Sequence, residues 1–273
     1  MTVWLDGAPC MEDQRLTRAR RYGDGVFRTL LKKDKQIIDI DSQFEILKAD
    51  AGALDLAAGS CAQWQAESLA ASAGLDDAVL RWTLLRAPGR RGYHPDGTAA
   101  HRLVESEALP ARPRALWREG VRVQHAGLAL AVQPRLAGIK HLNRLEQVMA
   151  SRDWAPGVDE ALMCSLEGHL VCGTRSNLFW WAQGRWHTPA LDRCGVNGQL
   201  RRKLLAMAAT HAETVDIVRA GPEALDQAEE LLLCNSLIGI WPVRALAARR
   251  WPAPGPQTAR WIARLGHPWQ GQA

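Results

Sequence analysis

Apolar and polar positions along this chain switch repeatedly between an alternating and a helical period. Residues 3–6 read as a short strand closed by the turn signal Gly7, and residues 15–21 as polar, irregular chain. Residues 26–31 have strand content and follow the turn Gly23-Asp-Gly25; a second turn at 33–35 would return the chain into a strand at 36–40. Asp41 or Ser42 can cap a helix running to about residue 56, and an Ala-rich helix follows at 61–73. Strands at 78–85 and 101–109 close this first half. The stiff stretch from Pro110 to Arg114 then marks a boundary, giving a domain over 1–110, a linker over 111–120 and a second domain over 121–273.

The second half opens with a strand at 121–132. A helix runs to about residue 152 from the neighbourhood of Lys140, with Leu142, Leu145, Val148 and Met149 at helical spacing as its buried face. Residues 160–166 and 169–172 pair as a hairpin about Glu167 and Gly168, and 177–182 is a further strand. Gly195, Val196, Asn197 and Gly198 lead into a helix at 199–209, whose first backbone amides make a ready anion site. Strands at 214–218 and 230–234 flank a short helix at 222–228. The polar turn Asn235-Ser236 precedes a last strand, and residues 256–265 form a closing helix.

Lys140 stands out chemically. At the upstream edge of the helix's apolar face, with His141 and Arg144 beside it, burial would disfavour its ammonium form. A neutral amine is what nucleophilic chemistry on carbonyls requires. The same segment also fits a solvated basic helix start, and only the rest of the chain decides between the two.

Composition narrows the classes. With 273 residues, 47% hydrophobic and 23% charged, the chain is of globular type and long enough for two domains. A net charge of +5, scattered except at Arg18, Arg20 and Arg21, comes without a nucleic-acid-binding motif and suits a small anionic substrate equally well. The six cysteines form no C-x-x-C pair, which argues against a metal site, and free thiols fit a reducing cytoplasm. The N-terminus does not read as a signal peptide, and no run approaches the ~20 apolar residues of a membrane span. Twelve Trp against two Tyr and three Phe is an unusual balance that the sequence does not explain.

Six segments together carry a resemblance: Tyr22-Gly-Asp-Gly-Val-Phe27, Gly89-Arg-Arg-Gly-Tyr93, Leu136-Ala-Gly-Ile-Lys-His-Leu-Asn-Arg-Leu-Glu-Gln-Val148, Ser176-Asn-Leu-Phe-Trp180, Gly195-Val-Asn-Gly198 and Cys234-Asn-Ser-Leu237. In this order the chain resembles the class IV, fold-type IV pyridoxal-phosphate enzymes. That family holds the branched-chain and D-amino-acid aminotransferases and the aminodeoxychorismate lyases, and the long Lys140 run is most similar to the lyases. The resemblance implies an α/β (α+β) fold, with a small N-terminal α/β domain, a larger C-terminal pseudo-barrel domain and a homodimeric assembly. It implies that Lys140 is the catalytic residue and is linked to pyridoxal 5'-phosphate. Val196, Asn197, Gly198, Asn235 and Ser236 would hold the phosphate, and Cys172 would face the cofactor ring. Arg91, Tyr93 and Asn143 would meet a chorismate-derived anionic substrate.

Two positions depart from the family's pattern. Ile46 stands where the family has a phosphate-binding Arg, and Cys172 where it has a Glu opposite the pyridine nitrogen. A thiol cannot hold that nitrogen protonated as a carboxylate does, so the electron sink is weaker. The expected activity is aminodeoxychorismate lyase chemistry. An aminotransferase, a cofactor-free lyase on a chorismate-like substrate and a non-catalytic ligand- or partner-binding descendant remain open alternatives.

Overall fold

In the computed structural model, which describes residues 2–9, 17–90 and 92–268, the chain divides into two compact units. The first comprises Met1–Ala111 with Ile139–Asn143, and the second Arg112–Gly138 with Arg144–Ala273. The five-residue segment around Lys140 therefore groups with the first unit, although it lies in the second half of the sequence.

The first unit is a six-stranded antiparallel sheet with helices on one face. Its strands are β1 (Thr2–Leu5), β2 (Ala8–Pro9), β3 (Gly25–Lys33), β4 (Gln36–Ile37), β5 (Ala78–Arg86) and β6 (Ala100–Ala108), in the order β2-β1-β6-β5-β3-β4. Its helices are α1 (Thr17–Tyr22), α2 (Ile40–Gly52) and α3 (Cys61–Ala71). Every second residue of the central strands faces the helices. Val26 and Leu30, Leu80, Trp82 and Leu84, and Val104 thus pack against Phe44, Leu47, Ala51 and Trp64. Ser60 starts α3 with a full capping box: its hydroxyl takes Gln63 N–H, and the Gln63 side chain takes Ser60 N–H. Helix α1 lies where the sequence reads as irregular. The second hairpin strand is only two residues long, because Asp39 in left-handed conformation turns the chain into α2.

The second unit is a nine-stranded mixed sheet with one strand off its main path. It is built from β7 (Val121–His125), β8 (Glu160–Cys164), β9 (Leu170–Gly173), β10 (Asn177–Ala182), β11 (Arg185–Pro189), β12 (Val215–Val218), β13 (Glu230–Asn235), β14 (Gly239–Leu246) and β15 (Arg249–Arg250). The order is β12-β11-β10-β13-β14-β7-β8-β9, with β15 beside β14. Leu170 of β9 shares one core with Leu178 and Trp180 of β10, although the strands stand five places apart in that order. The sheet is therefore curled on itself, which is the pseudo-barrel expected from the sequence. Its helices are α4 (Ala115–Arg118), α5 (Leu145–Arg152), α6 (Gln199–Thr210) and α7 (Pro256–Leu265). Phe179, Leu232, Cys234 and Ile240 turn to the other face and pack under α6 and α7 against Leu200, Leu204 and Trp261.

Tryptophan fills both cores. Trp64 and Trp82 stack at 5.1 Å in the first unit, and Trp186 and Trp261 meet at 4.4 Å in the second. Trp82 donates its ring N–H to Ser68 Oγ at 2.6 Å, and Trp117 donates to Ile238 O at 2.7 Å, so these buried donors are satisfied.

Candidate active site

The helix expected to begin near Lys140 begins at Leu145 instead. Residues 139–142 are extended and run antiparallel along the part of β3 that short β4 leaves uncovered. Val26 bridges His141, Phe27 N–H donates to Lys140 O at 2.9 Å, and Leu142 N–H donates to Gly25 O at 3.0 Å. This register puts Ile139 into the helix-covered core, where it is buried, and Lys140 on the opposite face beside Phe27. The expected buried face of α5 is not buried: Leu145 is 69% exposed, Val148 56% and Met149 44%, while Ala150 alone among the helix's residues is buried. The apolar spacing is present, but the helix turns its small residue to the core.

Lys140 is half-buried, with Nζ 4.3 Å from the centroid of the Phe27 ring, a favourable cation–π placement. Its backbone N–H, which a regular ladder would return to Phe27 O, goes to Asp50 Oδ2 at 3.0 Å. The same carboxylate oxygen pairs with Arg28 Nη2, and both side chains are almost wholly buried. The Lys140 backbone is thus tied by its carbonyl to β3 and by its N–H to a buried ion pair of α2 and β3. Neither Arg28 nor Asp50 carries a sequence signal: they lie 22 residues apart, and Asp50 lies 90 from Lys140.

In the second unit the loop before α6 is bonded from several sides. Gly138 N–H donates to Gly195 O at 2.9 Å, and Asn197 N–H donates to Gly138 O at 3.0 Å. Asn177 accepts Gly198 N–H at 3.2 Å and donates to Val196 O at 2.8 Å. The amides of Asn197 and Gly198, expected from sequence as phosphate donors, are therefore committed within the loop. The donors that helix geometry leaves over are first-turn amides, those of Leu200 and Arg201 among them, and Gly198 offers no side-chain cap to compete for them. A Cβ at Gly198 would run into Asn177 Oδ1, so a larger residue would displace the side chain that bonds this loop.

Arg201 is the residue that sequence reading missed here. It is 4% exposed and reaches Thr188 Oγ1 at 3.2 Å, Asn197 Oδ1 at 3.0 Å and Pro189 O at 2.9 Å, all neutral acceptors. Burial pulls its guanidinium down to about 10. A buried cation in the first turn of a helix adds to the positive end of the helix dipole, and an anion there would offset both. The polar turn after β13 lies alongside: Ser236 Oγ is 3.4 Å from Gln199 Oε1. Asn235 uses its side chain to form that turn, accepting Leu237 and Ile238 N–H at 2.9 and 3.0 Å and donating to Arg175 O at 3.0 Å.

The class IV amino-transferase family model matches residues 25–246. The chain belongs to this family. It is 32% identical to an aminodeoxychorismate lyase from Vibrio harveyi over 251 residues, 90% of this chain and 91% of the relative. Its fold superposes on a crystal structure of 4-amino-4-deoxychorismate lyase from Pseudomonas aeruginosa with TM-score 0.90 at 37% identity, covering 96% and 97% of the two chains. A hypothetical aminotransferase from Mycobacterium tuberculosis, solved in its PLP-bound form, shares the fold with TM-score 0.77 at 21% identity, covering 97% of each chain.

The two departures from the class IV pattern sit in well-formed structure. Ile46 is buried on α2. Cys172 is buried on β9 among Met163, Val171, Leu191 and Cys194. Glu160 cannot stand in for the missing carboxylate. It is fully buried, and its oxygens take Ala161 N–H at 3.0 Å, Thr174 N–H at 3.0 Å, Thr174 Oγ1 at 2.5 Å and Ser176 Oγ at 3.1 Å. Of the three residues expected to meet substrate, Tyr93 is 86% exposed with its ring 5.2 Å from Tyr22, and Asn143 is exposed and donates to Gly23 O at 3.3 Å. Arg91 lies outside the described residues. Among the described residues no cluster of side chains could hold a metal ion, and no helix is long and apolar enough to cross a membrane.

Proposed function

We propose that this chain is a 4-amino-4-deoxychorismate lyase that forms 4-aminobenzoate and pyruvate with pyridoxal phosphate. The observation that carries the reading is the match to lyases over more than nine-tenths of the P. aeruginosa chain at 37% identity, with the Lys140 run intact. The donor set at α6 fits a phosphate monoester: first-turn amides, a glycine entry, the Ser236 hydroxyl and the buried Arg201 charge behind them. At the ring end a Cys172 thiol replaces a carboxylate. Bound in this way, pyridoxal phosphate would supply a carbonyl to capture the substrate amine and a ring to draw off electron density, less strongly over a thiol than over a carboxylate.

Lys140 Nζ takes the proton from the amine-bearing ring carbon of the substrate. The Phe27 ring face stabilises the ammonium that results. The released electron pair completes the aromatic ring as the neighbouring carbon–oxygen bond breaks and enolpyruvate leaves. Lys140 then returns the proton to the leaving group, which becomes pyruvate. The Asp50 bond to the Lys140 backbone fixes the point from which the side chain reaches out through both transfers. Aromatisation drives the elimination, so a weak electron sink hinders this reaction less than it would a transamination; Cys172 therefore favours the lyase over the aminotransferase.

The test is aminobenzoate formation by the purified protein with added cofactor. Lys140→Ala should reduce it by roughly 10²–10⁴-fold with thermal stability retained, and borohydride should fix the cofactor to Lys140. Near wild-type turnover in the variant would remove Lys140 from the mechanism. The cofactor should dialyse away readily and be held more tightly in Cys172→Glu; stoichiometric cofactor after long dialysis would contradict this. The family also supports a homodimer, and the exposed Leu145, Val148 and Met149 on α5 give a second copy an apolar face to cover; a monomer in sedimentation equilibrium would exclude it.

A further inference from the structure

The Gly-Asp-Gly motif that leads into β3 does more than turn the chain. Asp24 Oδ2 accepts Arg18 Nε and Arg86 Nε, each at 2.9 Å, so one carboxylate serves two guanidinium groups. Both arginines are almost wholly buried, with side chains 6% exposed, and Asp24 is 17% exposed. Arg86 extends to Leu54 O at 2.5 Å, Gly97 O at 2.6 Å and Asp55 O at 3.2 Å. Arg18 extends to Gly92 O at 3.0 Å and Tyr93 O at 2.9 Å, and its guanidinium lies 5.1 Å from the Tyr22 ring that meets Tyr93.

These contacts converge on the loop that joins β5 to β6. Arg86 holds its far side at Gly97, Arg18 holds Gly92 and Tyr93, and Asp96 accepts Arg90 N–H within the loop itself. The loop's own side chains around these points are exposed, so the loop has little apolar burial to fix it. Charge-assisted bonds to its carbonyls replace that burial. The cluster also carries one positive charge in excess, two arginines against one carboxylate, and the loop's sequence adds Arg90 and Arg91 against Asp96.

We propose that Arg18, anchored by Asp24, is a positioning residue for substrate binding: through the carbonyls of Gly92 and Tyr93 it holds this part of the β5–β6 loop in the conformation that receives a dicarboxylate. The inference rests on the lyase reading for its substrate, and on the hydrogen bonds alone for the clamp. A lysine cannot replace Arg18, because the three acceptors are met by a planar fork of separate N–H groups.

The experiment uses the full-length protein with Arg18→Gln and Arg18→Lys. Limited trypsin digestion under native conditions, with cleavage sites mapped by mass spectrometry, reads the clamp directly. Cutting after Arg90 or Arg91 should be at least about 5-fold faster in both variants than in wild type, with the melting transition retained. Steady-state kinetics on aminodeoxychorismate should show KM raised about 10-fold with kcat within about 2-fold, the signature of lost binding rather than lost chemistry. If Arg18→Gln does not fold, Arg18→Lys, which keeps the charge but gathers its N–H donors on a single nitrogen, carries both measurements. Unchanged cleavage in the loop would overturn the clamp. Faster cleavage with unchanged KM would overturn the role in substrate binding. Absence of aminobenzoate formation by the wild type would instead defeat the lyase reading, and the trypsin map would still decide the clamp.

Discussion

Removing the carboxylate of Asp50 would strand two partners at once, the buried Arg28 guanidinium and the backbone N–H of Lys140. Breaking a buried pair by deleting one charge costs about 3–5 kcal/mol. Asp50→Asn should therefore lower the urea midpoint by the equivalent of that amount and also reduce kcat, because Lys140 loses its fixed backbone. The double variant Arg28→Met with Asp50→Leu should recover much of the stability and none of the positioning. A stable Asp50→Asn with normal kcat would show that the pair does nothing for Lys140. At this scale the sequence is legible where chemistry is concentrated in one run, as around Lys140 and Gly198. It is silent where a site is assembled from distant positions. Arg28, Asp50 and Arg201 look like ordinary surface residues in the sequence, since a guanidinium or carboxylate buried by packing has no local mark.

Helix and strand identities follow local pattern well and end points follow it poorly. The strand at Asn177–Ala182 and the helix at Pro256–Leu265 lie where the periodicity puts them, the latter between Pro256 at its first turn and the left-handed Gly266 after its last. Helix α5 starts five residues after Lys140, because residues 139–142 find hydrogen-bond partners on β3 that the sequence does not reveal. Strand β11 goes unread in the sequence: its apolar content is confined to Trp186, and Pro189 ends it. Ser60 supplies an element-scale test. Ser60→Ala removes the hydroxyl of the capping box on α3 and should cost about 1 kcal/mol, seen as a shift in urea midpoint with no change in slope. An unchanged midpoint would mean that Gln63 and water replace the cap.

For the molecule as a whole, stability should have an alkaline limit set by buried thiols. Burial pushes Cys234 up to about 12, partly offset by the positive charge of Arg201, and pushes Cys194 up to about 11. The unfolded chain releases these protons near pH 9, whereas the folded chain keeps that of Cys234 until about 12. The group's contribution to stability is therefore complete below pH 9 and declines above it, by about 1.4 kcal/mol per pH unit for Cys234. Urea unfolding between pH 8.5 and about 10.5 should show a steeper decline for wild type than for Cys234→Ala; parallel curves would contradict this. The tryptophan-rich composition, opaque in the sequence, has a plain structural basis: Trp64, Trp82, Trp186, Trp241 and Trp261 are fully buried and supply the bulk of the packing where phenylalanine is scarce.

The first unit is discontinuous in sequence, and this matters while the chain is being made. Its core includes Ile139, and the Val26 end of β3 is covered by residues that follow Ala111 only after a stretch of the second unit. From residue 111 to residue 143 the ribosome adds 32 residues, roughly 2–6 seconds of synthesis at ~5–20 residues per second. During that interval the nascent first unit exposes an unpaired strand edge and an unfilled gap at the Ile139 site, a natural binding point for a chaperone. A chain stalled at residue 111 should be digested by protease faster than one stalled well beyond residue 143, and adding a synthetic peptide of residues 137–145 should narrow the difference. Equal resistance of the two stalled chains would mean that the sheet and its helices stand without their late-arriving strand.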